Sequence, residues 1–83
     1  MKKQKSTHAF SQLVEGQEKG LGYYYQRYYK LLVYRTAQSI KDYFSAESMA
    51  QEAFLRLWLN RANIEKEDDV LTFLQCVMRA AVH

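Results

Sequence analysis

The chain has 83 residues, 48% hydrophobic and 25% charged, with a formal net charge of +3. A single domain of this size buries only about 60–65% of its unfolded surface, and so small a net charge argues against strong sequence-independent nucleic-acid binding by the chain as a whole. Cys76 is the only cysteine, and His8 and His83 stand at opposite ends without triad or ligand spacing; no disulfide, metal centre, cofactor or enzymatic activity is expected.

Proline is absent and the three glycines are Gly16, Gly20 and Gly22, so nothing breaks a helix after residue 22. An all-α bundle of three main helices with a short N-terminal helix follows. No apolar run approaches the ~18 residues of a membrane span, and Met1-Lys-Lys-Gln-Lys leads into no signal-like segment; a cytoplasmic protein is expected. Residues 1–44 carry eight Lys/Arg against three acids (+5), residues 45–83 four against six (−2). The molecule is therefore dipolar along its sequence.

Residues 1–7 read as a flexible basic arm, and residues 8–83 as the folded domain. Ser6 or Thr7 is the expected N-cap of a first short helix whose apolar face is Ala9, Phe10, Leu13 and Val14. The second and longest helix is expected from about Glu18 to Ile40, with an inner stripe of Leu21, Tyr24, Tyr25, Tyr28, Leu31, Leu32, Arg35 and Ile40. Five tyrosines lie between Tyr23 and Tyr29. Tyr24, Tyr25 and Tyr28 are read as core with wet hydroxyls, whereas Tyr23 and Tyr29 are candidates for base stacking. Arg27, Lys30 and Lys41 add positive charge on the outer side.

Lys41 to Ser45 is the next connection, with Ser45 as cap. The third helix, Ala46 to Leu59, sorts into two faces at about 100° per residue. Ala46, Met49, Ala50, Ala53, Phe54, Leu57 and Trp58 form one continuous apolar stripe. Opposite lie Glu47, Ser48, Gln51, Glu52 and Arg56, with Leu55 and Leu59 in their midst. An outward leucine beside a carboxylate and an amide marks a surface that meets another protein. A polar loop, Asn60 to Glu67, follows, then a last helix capped by Asp68 or Asp69. Val70, Leu71, Leu74, Val77, Met78 and Ala81 are its apolar stripe; Thr72, Gln75, Cys76, Arg79 and His83 face away.

These stretches, Gly16 to Leu21 (GQEKGL), Tyr23 to Tyr29 (YYYQRYY), Ala46 to Trp58 (AESMAQEAFLRLW), Asn60-Arg61, Phe73-Leu74 and Arg79-Ala80, together resemble region 2 of the sigma-70 family, specifically the extracytoplasmic-function (ECF) RNA polymerase sigma factors of bacteria. The resemblance implies that Glu47, Ser48, Gln51, Glu52 and Leu55 bind the β′ clamp helices of core RNA polymerase. It implies that Asn60, Arg61, Asn63, Gln75 and Arg79 contact the promoter −10 element as single strand. An anti-sigma factor is a further implied partner, and the family's C-terminal region 4 is not expected in this chain. Two positions depart from the family pattern: Ser48 replaces a carboxylate on the polymerase side, and Ala80 replaces an asparagine on the DNA side. The acids Glu65, Glu67, Asp68 and Asp69 would also repel phosphate. A sigma-like interaction module without promoter reading is the alternative function.

Overall fold

The computed structural model describes the backbone of residues 2–82 and the side chains of residues 8–81. Four helices follow in order: α1 (Lys2–Val14), α2 (Glu18–Ile40), α3 (Tyr43–Leu59) and α4 (Asp68–Val82), with a single 3₁₀ turn at Arg61–Asn63 before α4. Among the described residues there is no strand. Helix α2, about 34 Å long at 1.5 Å per residue, sets the 39 Å long axis. Helices α1 and α3 pack on it, and α4 closes the core against α3.

The entry into α2 depends on two glycines. Gly16 has φ +83°, where a side chain is strained. There the Gln17 N–H bonds the Gln12 carbonyl (2.8 Å) and the Gly16 N–H bonds the Leu13 carbonyl (3.0 Å), a Schellman closure of α1. Gly20 is buried where α1 crosses α2. A Cβ there would lie 2.3 Å from the Leu13 backbone nitrogen and 2.7 Å from its Cα. Ala9 and Leu13 of α1 reach the core through this close approach.

Several sequence expectations are corrected here. Helix α1 begins at Lys2, ahead of the expected Ser6 or Thr7 cap; the side chains of residues 2–7 and all of His83 lie outside the described residues. Helix α3 is capped by Asp42, not Ser45: its carboxylate accepts from the Ser45 N–H (3.2 Å) and hydroxyl (2.8 Å). These two bonds hold the Asp42 carboxyl below its ordinary pKa. Asp68 and Asp69 fall inside the first turn of α4, where their charge suits the positive helix end. Helix α2 ends at Lys41 in the left-handed region (φ 59°), its N–H on the Ala37 carbonyl.

The largest correction concerns α2. Its buried residues are Gly20, Tyr24, Leu32, Val33 and Thr36; Tyr25 and Leu31 are 38% exposed, and Arg35 is exposed. The packing partner changes along the helix, from α1 at its start to α3 and α4 further on, so its inner face rotates. Tyr23 and Tyr29 are half-buried against the core. Tyr25 stacks on Tyr29 (4.6 Å) and meets Phe54 edge-on (5.1 Å), so these two tyrosines join α2 to α3. The most exposed tyrosine of this helix is Tyr34, at 63%.

Helices α3 and α4 match their patterns. Ala46, Ala50, Ala53, Phe54 and Leu57 are buried on α3, and Val70, Leu74 and Met78 on α4. Three alanines at helical spacing keep the α3 surface flat, so its neighbours can approach closely. Ala81, expected in the α4 stripe, is exposed.

Candidate polymerase and nucleic-acid surfaces

With its alanine side turned inward, α3 carries Ser48, Gln51, Glu52 and Arg56 into solvent, and Glu47 is half-buried. Leu55 is 53% exposed and Leu59 68%. Glu52 and Arg56 form a 2.8 Å surface ion pair, which adds little to stability. This ridge runs between two grooves. On the α2 side, Leu21, Tyr25, Gln51, Phe54, Leu55 and Trp58 border a groove of about 570 Å³, with the Gln51 amide 3.5 Å from the Tyr29 hydroxyl. On the α4 side, Glu52, Arg56, Phe73, Cys76, Val77 and Ala80 border one of about 480 Å³. A charged ridge with an exposed leucine and apolar ground on both flanks suits an amphipathic helical partner.

The stretch from Asn60 to Asp69 is pinned along its length. Asn60 ends α3, its side-chain amide on the Arg56 carbonyl (2.8 Å). Arg61 turns inward: its guanidinium lies over the Trp58 ring (4.4 Å to the centroid), donates to the Trp58 carbonyl (2.8 Å), and reaches Gly16. Ile64 is buried. At the far end the Tyr24 hydroxyl donates to Glu67 (2.8 Å). Burial first, and this bond second, push the Tyr24 phenol far above its ordinary pKa, so it remains a neutral donor. Asn63 is exposed.

Gln75 and Arg79 are not at this loop. Arg79 lies about 16 Å further along α4 from Asp68. Both line an α2–α4 cleft of about 210 Å³ with Arg35, Thr36, Ser39 and Met78. The candidate residues therefore occupy three places: the α3 ridge, the pinned loop and this cleft. Periodicity does not find Arg35 and Ser39 as cleft residues, because it places Arg35 in the α2 core stripe. Nor does it find the Trp58–Arg61 stack, although a spacing of three permits one.

The family model for sigma-70 region 2 matches residues 24–83. The chain belongs to the sigma-70 region 2 family.

No curated protein and no solved structure matches the chain. The all-α architecture agrees with the sigma-70 region 2 assignment. Sigma-70 region 2 is a non-catalytic transcription-factor domain, and membership implies interaction with core RNA polymerase and promoter DNA in transcription initiation. The matched segment contains all three candidate surfaces of this sigma-70 region 2 domain and starts at Tyr24, the residue that anchors the loop. Among the described residues no helix is long and apolar enough to cross a membrane.

Proposed function

We propose that this sigma-70 region 2 domain is of the ECF type, acts in the bacterial cytoplasm, and docks on the β′ clamp helices of RNA polymerase through Glu47, Ser48, Gln51, Glu52 and Leu55. The observation that carries this reading is Leu55, half exposed between exposed Gln51 and Glu52 on a helix whose opposite side is sealed in the core. An apolar anchor ringed by charge-assisted hydrogen-bond partners gives both affinity and register on a basic coiled coil. The melted non-template strand of the −10 element then meets Asn63 at the loop and Gln75 and Arg79 in the α2–α4 cleft. Asn60 and Arg61 serve by holding the loop's shape.

The test is calorimetric binding to a β′ coiled-coil fragment. Leu55→Asp and the Gln51→Ala/Glu52→Ala double variant should each weaken binding at least tenfold with an unchanged circular dichroism spectrum. Unchanged affinity would remove the α3 ridge from the interface. A second reading, a sigma-like module that an anti-sigma factor targets without promoter reading, is favoured by the inward turn of Arg61, by Ala80 and by the acidic loop. A −10 single-strand oligonucleotide separates the two: sequence preference at moderate salt supports the sigma reading, and its absence the module.

A further inference from the structure

The charges segregate in space differently from how they segregate in sequence. Glu15, Glu18, Glu65, Glu67, Asp68 and Asp69 gather where the α1–α2 corner, the loop and the start of α4 meet, an end tied together by the Arg61–Gly16 and Tyr24–Glu67 contacts. Arg35 and Arg79 line the α2–α4 cleft, and Lys30 and Lys41 stand on the other side of α2, further along the helix than Glu18, with Asp42 directly after Lys41. The net charge of +3 hides this, because the acidic end offsets the basic one.

The outer face of α2 is the longest unpartnered element of the basic end. At about 100° per residue, Arg27, Lys30, Leu31, Tyr34, Gln38 and Lys41 fall within roughly one third of the helix circumference. All six are exposed, with Tyr34 at 63% and Leu31 at 38%. Glu18, in the first turn, is the only acid on the helix. Among the described residues none of the three cations is ion-paired; Arg27 rests over the Tyr28 ring at 5.7 Å. From Arg27 to Lys41 the stripe runs about 21 Å, the length of about six nucleotides of one B-form strand at 3.4 Å each.

We propose that this α2 face, distinct from the α3 ridge, the loop and the cleft, is a contact surface for the phosphate backbone of double-stranded DNA. A stiff row of cations with an intervening phenol and amide can donate to successive phosphates without reading bases. Within the stripe itself Tyr34 is the one ring, fewer than a stacking platform that follows a single strand presents; Tyr43 and Phe44, exposed just beyond Lys41, lie past the end of the helix. Duplex DNA also carries the denser charge, one per about 1.7 Å of axis.

The test uses the full 83-residue chain and a fluorescent duplex without promoter-like sequence, titrated over a range of low salt concentrations. Lys30→Gln/Lys41→Gln should weaken duplex binding about tenfold and flatten the log–log salt slope by about 1.8, at about 0.9 for each phosphate no longer neutralised. Lys19→Gln/Lys66→Gln removes the same net charge at the acidic end and should change affinity less than threefold. Lys30→Gln alone, on an exposed helical position, should show about half of the slope change and serves if the Lys41 change disturbs the α2 terminus. Equal weakening in the two double variants would overturn the proposal, as would an unchanged slope. Tighter binding of single strand or polyglutamate than of duplex would overturn it as well.

Discussion

The Arg61 guanidinium lies over the Trp58 ring, 4.4 Å from its centroid, and donates to the carbonyl of the same residue. One side chain thus fixes the ring that walls the α2–α3 groove and the turn that opens the loop before α4, while its flank fills the space above Gly16. The groove and the loop are both held by this residue.

Arg61→Ala should destabilise the domain by about 1–2 kcal/mol, by removing a cation–π interaction and a charged hydrogen bond. Arg61→Lys should recover only part, since an ammonium lacks the planar face. Trp58 is the sole tryptophan, so its emission reports the change directly: a red shift in Arg61→Ala is expected, and unaltered emission and melting would show the stack to be idle.

Two glycines of α2 should respond with opposite signs. Gly20→Ala drives a methyl to within 2.3 Å of Leu13 backbone, and backbone cannot step aside cheaply; a loss of about 3 kcal/mol or more is expected, beyond the usual overpacking range if α1 detaches. Gly22 has nothing within 4 Å of a built Cβ, so Gly22→Ala should stabilise by about 0.5–1 kcal/mol through helix propensity. Urea melts of the two variants check both signs at once.

Tyr24→Phe removes the donor to Glu67 without changing the ring that fills the core. The expected loss is about 1 kcal/mol, reduced from that of a buried charged bond because Glu67 is half exposed. Amide exchange should quicken at Lys66 to Asp69 but not in α3. Uniform quickening would mean that the bond supports the whole fold rather than the loop.

Asp42 makes helix α3 sensitive to acid. Its folded pKa is lowered by the bonds to Ser45, so its contribution is full above the unfolded carboxyl value and is lost as pH falls through the folded one. Asp42→Ala should therefore melt below the wild type by the widest margin above the ordinary carboxyl range, with the gap closing as pH falls below that range. A gap that stays constant with pH would show that the charged carboxylate does not carry the cap.

The inner faces of α3 and α4 were legible from spacing because each packs one side against the core along its whole length. Helix α2 was not. Its tyrosines and leucines point all round, and its partner changes from α1 to α3 and α4, so Gly20, Val33 and Thr36 take places that periodicity assigns to Tyr25, Leu31 and Arg35. The α3 ridge was legible for the same reason as the α3 core: Leu55 and Leu59 break an otherwise polar face, and a strict helical period leaves them nowhere to go but outward.

By itself the sequence determined the helices, their order and the side of α3 that is left exposed, since these follow from local propensity and a period of 3.6. Only the tertiary structure decided which cations are available. Arg61 is taken up by Trp58 and the backbone over Gly16, residues that meet because α1 turns back at a left-handed glycine. Arg79 leaves the loop and joins Arg35 across the α2–α4 cleft. Coulomb energy depends on distance through space, and charge counted along the chain carries no such distances.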